Sequence, residues 1–398
     1  MNLTVQRADL LRIVARTHGV ADKRGTSMPI LGCVLLDAAG NQLRASATDL
    51  YLGARATTQA AIKNGGATCV AAKTLFDVVR NAPDGAIKLT LKNGALHVEA
   101  GRSHFKLPAL DAADFPPLPN PDGGESGPAW RELDASVLAE LIALTSYSMS
   151  SDDTRPHLAG TLFETDGRVA RMVTTDGHRL SKAEISLGDV RSASPLEVLI
   201  PHRGIGELRK LVDEARADAK AAKAKTEGGA RATIHVYAAS GTAFFRRNDT
   251  NAHVTLSVKL VDERFPPYAK VIPAAPTKRV VCAREPLMAA CKRISLVSND
   301  KSHGVHLKLS SGALVLGASN VDVGEGAEEI DVEYEGEALE IGFNARYLLD
   351  ALGALSTDTV VLELGGALDP GMIRQGEGGA AVAGGDVDFV GVVMPMRI

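Results

Sequence analysis

The 398-residue chain carries 44 Lys and Arg against 48 Asp and Glu, a formal charge of −4. Its 45% hydrophobic and 23% charged residues are ordinary for a soluble globular protein of roughly two to four domains. The balance argues against an open-groove DNA binder, which needs a basic surplus, but allows basic residues gathered on one face.

Aromatic residues make up only 4%, so the cores must be built from Leu, Val, Ile and Ala. Residues 1–7 contain no apolar signal core, and no apolar run approaches the ~20 residues that span a bilayer. A cytoplasmic location is expected. Residues 9–14 then read as a helix, 30–37 as a strand, and 73–80 as a second helix in which Thr74 and Asp77 resemble a capping box. A strand over 86–91 ends at Asn93-Gly94, and the Pro/Gly-rich stretch 116–128 is linker-like.

The pattern restarts after that linker. Residues 134–142 form a helix with the stripe Val137, Leu138, Leu141 and Ile142; 161–164 form a strand before Asp166-Gly167; 203–212 form another helix. After a second linker at 273–278 it restarts again. The helix 285–291 has the stripe Leu287, Met288, Cys291 and Ile294, and the strand 305–309 precedes Ser311-Gly312. The helix 346–352 follows Asn344 as N-cap, with a strand over 359–364. Lys73, Arg203 and Arg346, which open the second helix of each unit, are 130 and 143 residues apart; a third of the chain is about 133. An Ala/Lys/Gly-rich insertion at about 215–232 explains the longer interval and is expected to be a solvated helix extension or a mobile loop. The fold class is therefore α+β: three similar domains, each of two helices plus antiparallel sheets, at 1–125, 129–272 and 273–398.

No P-loop, GxSxG or HExxH motif occurs. The Gly-rich run 376–380 has no helix-length segment after it and reads as a hairpin tip rather than a dinucleotide site. Cys33, Cys69, Cys282 and Cys291 form no CxxC pair and no zinc-spaced cluster, so buried thiols are expected, with no metal and no cofactor. Asp176 and His178, in the tract 174–180, are the best candidates for catalysis; the competing reading is an Asx-type turn.

At this tract the chain resembles the bacterial β sliding clamp, the β subunit of DNA polymerase III. The resemblance is carried by Met28-Pro29-Ile30-Leu31-Gly32, Ala47-Thr48-Asp49-Leu50, Thr175-Asp176-Gly177-His178-Arg179-Leu180, Lys259-Leu260-Val261-Asp262 with Arg264-Phe265-Pro266, Ile341-Gly342-Phe343-Asn344 with Tyr347, and the terminal Val392-Val393-Met394-Pro395-Met396-Arg397-Ile398. It implies a non-catalytic processivity factor: a head-to-tail homodimer whose six domains form a ring around duplex DNA of any sequence. Its partners would be DNA, the polymerase III catalytic subunit, the clamp loader and other proteins with a clamp-binding motif, and no membrane. The alternatives are a specialised clamp paralogue, such as an inhibitor-resistant one, and an enzyme centred on Asp176 and His178.

The helices carry Arg7, Arg12, Arg16, Lys73, Arg80, Arg203, Arg209, Lys210, Lys292, Arg293 and Arg346, a basic set suited to phosphates without base readout. The resemblance places Arg24, Lys73, Arg102, Arg155 and Arg203 facing DNA. It assigns Phe105 and Leu107, with Leu296 and Val297, to the dimer seam. It assigns partner-peptide binding to Leu158, Thr175, Gly177, His178, Arg179, Leu180, Pro266, Lys270, Val271, Asn344, Tyr347, Val393, Met394, Pro395, Met396, Arg397 and Ile398. Leu158, Leu180, Val271, Val393, Met394 and Met396 would offer apolar pockets, and His178, Arg179, Asn344 and Arg397 would meet polar groups of the peptide. Lys270 stands where the family usually has arginine, and the Gly/Ala-rich region 365–391 puts pocket-rim contacts at Leu368 and Pro370 in question.

Overall fold

A computed structural model describes residues 1–22, 28–123, 129–152, 154–187, 195–223, 232–248, 252–378 and 386–397. Its helices among these residues are α1 (Arg7–Val20), α2 (Ala72–Asn81), α3 (Ala135–Thr145), α4 (His202–Lys223), α5 (Arg284–Ile294) and α6 (Ala345–Ala354), two in each third of the chain. Each begins at the residue after a strand, with no intervening loop: Asn2–Gln6 runs into α1, and Leu339–Asn344 into α6.

This junction decides how the helices are capped. At α6 the last strand residue is Asn344, whose Oδ1 accepts from the amides of Arg346 at 2.9 Å and Tyr347 at 3.4 Å, as expected. At α2 the corresponding residue is Ala71, which has no capping side chain. The capping box expected from Thr74 and Asp77 is therefore not formed, because Thr74 already lies inside the first turn.

The strand expected over 30–37 begins later. Pro29–Gly32 is a 3-10 turn with Pro at its start, and the strand is Cys33–Ala39. The insertion continues α4 as far as Lys223, so its first part is a helix extension; residues 224–231 lie outside the described residues. Buried Arg247 pairs with Asp218 and ties the extension to the strand Thr242–Asn248.

All paired strands are antiparallel, and the sheets run across the repeat. The middle third supplies Ala252–Lys259, which pairs with Leu52–Gln59 of the first third from Ala252↔Thr58 to Val258↔Leu52. It also supplies Arg179–Ser186, which pairs with Val387–Val393 of the last third from Arg179↔Val393 to Ile185↔Val387. Compactness consequently divides the chain into two units: Met1–Ala135 with Gly206–Leu260, and Ser136–Ile205 with Val261–Ile398. The first holds a 13-stranded sheet and the second an 8-stranded and a 4-stranded sheet. Cores are aliphatic, with Phe163, Phe245, Phe343 and Phe389 as the largest fully buried side chains.

Candidate partner-docking site

In the second unit, the turn between the strands Val169–Thr175 and Arg179–Ser186 is fixed by its own side chains. The Thr175 hydroxyl donates to the Arg179 carbonyl at 2.6 Å and accepts from Gly177 N at 3.1 Å. Asp176 Oδ1 accepts from the amides of His178 at 2.9 Å and Arg179 at 3.1 Å. Gly177 takes φ +92°, a conformation that glycine adopts without a Cβ penalty. Asp176 is thus spent on backbone and on Arg179, and His178 stacks on Tyr347 with ring centroids 6.4 Å apart. Neither is poised to activate a nucleophile, and among the described residues no His/Cys/Asp/Glu group has metal-binding geometry. The Asx turn prevails over the catalytic reading.

The turn presents Arg179 to α6. Its Nε donates to Asp176 Oδ2 at 3.0 Å and its Nη1 to Asp350 Oδ2 at 2.5 Å. Its guanidinium lies 4.5 Å from the Tyr347 ring centre and 5.4 Å from that of Tyr147. Burial opposes the charge, but the two carboxylates outweigh it and raise the Arg179 pKa above its ordinary value. Burial pushes the Tyr147 phenol up to about 12 and raises that of Tyr347 as well, so both rings remain neutral faces for the cation.

The tail completes the group. Met394 N donates to the His178 carbonyl at 2.9 Å, and Met396 N to the Gly342 carbonyl at 2.8 Å, beside Asn344. Met394 and Val271 are 38% and 43% exposed, so apolar surface is open here. Leu180 and Val393 are not part of that surface. At 2% exposure each they belong to the core, Leu180 with Leu162, Val173, Met372, Val390 and Val392. Leu158 at 6% and Thr175 at 8% are also buried and serve as support. Pro266, Pro395 and Met396 are half-buried, and Lys270 and Arg397 are exposed; Ile398 lies outside the described residues. Leu368 is 63% exposed and Pro370 half-buried. Sequence reading missed Tyr147 and Asp350. Asp350 could have been found, since it lies three residues after Tyr347 and so shares its helix face.

Family models match the whole repeat. The DNA polymerase III beta subunit N-terminal domain matches residues 1–119, its central domain 132–267 and its C-terminal domain 269–397. The chain belongs to the DNA polymerase III β-subunit family, the β sliding clamps. The beta sliding clamps of Proteus mirabilis and Pseudomonas putida are 35% and 36% identical to it over the full length of both chains. A crystal structure of the β subunit from Pseudomonas aeruginosa has a TM-score of 0.86 at 34% identity, and one from Caulobacter crescentus 0.85 at 30%, each covering both chains completely.

The remaining clamp residues fall into two groups. Arg12, Lys73, Arg80, Arg203, Arg209, Lys210, Lys292, Arg293 and Arg346 are exposed on the helices. Arg16 is not: it is 4% exposed and pairs with Glu207 and Glu214 of α4, which removes it from the phosphate-binding set. Arg102 is exposed, Arg155 bonds Asp152 and the Asp176 carbonyl of the 175–179 turn, and Arg24 lies outside the described residues. Of the seam residues, Phe105 is 38% and Leu296 77% exposed and Val297 half-buried, whereas Leu107 is 7% exposed and already belongs to its own core.

Proposed function

We propose that two copies of this clamp close head to tail into a ring around duplex DNA, with three domains per chain at 1–125, 129–272 and 273–398. Membership of the family makes the chain a processivity subunit with no covalent step of its own. The observation that carries the ring is a pair of complementary open strand edges. Among the described residues, Ser103–Leu110 keeps one edge free over most of its length and bears His104 and Lys106 beside Arg102. Gly324–Asp331 pairs on one side only among the described residues and bears Glu325, Glu328, Glu329 and Asp331. An exposed edge joins a second chain readily, and opposite charges select the partner edge. Phe105 meeting Leu296 and Val297 would supply the apolar centre of that seam.

The exposed helix cations, with Lys73, Arg102 and Arg203 among them, would face the phosphates. Sequence-blind contacts of this kind permit sliding, while retention is topological. The Arg179–Tyr347–Met394 group would dock short peptides from the polymerase III catalytic subunit, the clamp loader and other cytoplasmic partners. Methionine and half-exposed aliphatic side chains adapt to varied anchors. A mass in solution near twice 41.7 kDa tests the dimer. Loading onto nicked circular DNA tests the ring: the protein stays on the circle and runs off once it is cut. Equal loss from both templates refutes topological retention.

A further inference from the structure

The docking turn has a counterpart in the first unit that matches it bond for bond. Thr48 Oγ1 donates to the Leu52 carbonyl at 2.7 Å and accepts from Leu50 N at 2.9 Å. Asp49 Oδ1 accepts from Tyr51 N at 3.0 Å and Leu52 N at 2.7 Å. Residues 48–52 therefore stand for 175–179. A third turn, 165–169, has the same internal pattern, so the turn alone identifies nothing.

The equivalence extends to its surroundings. Leu31 N donates to the Met28 carbonyl and Leu31 O accepts from Asp22 N, as Leu158 N donates to Arg155 O and Leu158 O accepts from Ser150 N. Lys259 N donates to the Tyr51 carbonyl at 2.8 Å, as Met394 N does to that of His178 at 2.9 Å. Met28, Leu31, Tyr51 and Lys259 thus occupy the places of Arg155, Leu158, His178 and Met394.

Only the side chains differ, and they differ in a telling way. The other two turns carry Gly167 and Gly177 at the left-handed position, whereas the first carries Leu50 at φ +75°. A leucine there is strained, and its side chain is 53% exposed, so core packing does not compensate. Tyr51 is 64% and Met28 43% exposed. Lys259 holds its ammonium 5.5 Å from the Tyr51 ring, and no carboxylate pairs with it among the described residues. The surface is an apolar patch with one unneutralised cation.

We propose that Met28, Leu50, Tyr51 and Lys259 form a second docking site, for an extended peptide with an aliphatic or aromatic anchor and a carboxylate. This rests on the docking role given above to the Arg179 site. The test uses the full-length protein, the fluorescein-labelled peptide Leu-Glu-Leu-Phe and its Glu-to-Gln analogue. Binding should fit two sites per chain. Removing residues 394–398 should leave one, and Leu50→Gly with Lys259→Gln should abolish it. Leu50→Gly relieves the strain, so the variant should melt no lower than the parent. At this second site the Gln peptide should bind about threefold to fivefold more weakly, the scale of one exposed ion pair. One site per chain, lost with the tail, overturns the second site and leaves the first standing. No binding at all overturns both. Equal affinity for the two peptides overturns the carboxylate assignment. A Leu50→Gly chain whose mass in solution changes would show that a second copy covers the patch, which also overturns the proposal.

Discussion

Replacing Arg16 by alanine separates a structural cation from a phosphate-binding one. The Arg16 side chain is 3% exposed, with Nη2 against Glu214 and Nη1 3.9 Å from Glu207. Glu207 is 10% exposed, and its carboxylate sits where α1 has Gly19; a Cβ there would come within 3.2 Å of Oε2. Arg16→Ala leaves that carboxylate with Lys210, whose Nζ is 2.6 Å from Oε1 but whose side chain is 57% exposed. An exposed lysine returns at most about 1 kcal/mol. A buried charge left with no partner costs about 3–5 kcal/mol, and the hydrogen bond that Glu207 keeps with Lys210 offsets part of that. The expected loss is therefore about 3 kcal/mol, whereas Arg16→Met combined with Glu207→Gln should fall within about 1.5 kcal/mol of the parent. Urea unfolding followed by Trp130 reads this directly. It is the only tryptophan, lies in the same compact unit, and has the Arg246 guanidinium 4.3 Å from its ring. The salt dependence of DNA binding should not change. A loss below about 1 kcal/mol, or a shallower salt slope, would refute the reasoning.

Leu296→Asp should give folded monomers, because that side chain is 77% exposed, while Leu107→Asp, at 7% exposure, should unfold the first domain; sedimentation and circular dichroism distinguish the two. Removing residues 394–398 should abolish peptide binding at the Arg179 site and leave the dimer mass unchanged. Lys73→Ala and Arg203→Ala should each reduce the slope of log K against log salt by about 1 on nicked circles. Burial pushes the thiols of Cys69, Cys282 and Cys291 up to about 12, so a disulfide reagent at pH 8 should label them only after denaturation. The unfolded thiols ionise near 8.5, and the native ones stay neutral until about 12. Stability should therefore fall as pH rises through that window, read as a falling Tm.

The threefold repeat was legible because helix stripes and turn pairs depend on local spacing: Asn344 caps α6 and Thr359–Leu364 is a strand, both as expected. Long-range geometry was not. A basic residue on a helix looks alike whether it meets solvent or a carboxylate of α4, so Arg16 was read as surface. Alternation marked Leu180 and Val393 as apolar without saying which face of the strand meets the core. Asp350, 171 residues from Arg179 in sequence, reaches it only through the pairing of Arg179–Ser186 with Val387–Val393.

That pairing carries a last prediction. Glu164, Arg171, Glu184 and Asp388 stand opposite one another on four neighbouring strands. Arg171 bridges Glu164 and Glu184, at 3.1 and 2.6 Å. Lys182 is the cation that Glu184 and Asp388 share, its Nζ 3.4 Å from each, while Arg171 holds Glu184 and Arg374 lies 3.4 Å from Asp388 on their other sides. Each pair is part-exposed and adds little stability. Their effect is on register: the opposite face of the same strands holds Met172, Ala183 and Phe389, all buried, and a one-residue slip would turn the charged row to that face and those side chains out of it. The bond from Met394 N to the His178 carbonyl exists only in the present register, so the Arg179–Tyr347–Met394 group inherits its geometry from the sheet. Lys182→Met should remove the cation shared by the two carboxylates, each of which keeps an arginine, and cost at most about 1 kcal/mol at low salt. Salt at 1 M, with a screening length of about 3 Å, should erase most of that difference, and the Met394 amide should exchange faster in the variant only at low salt. A cost that persists unchanged at high salt would mean that Lys182 acts through its aliphatic stem and that the charged row does not set the register.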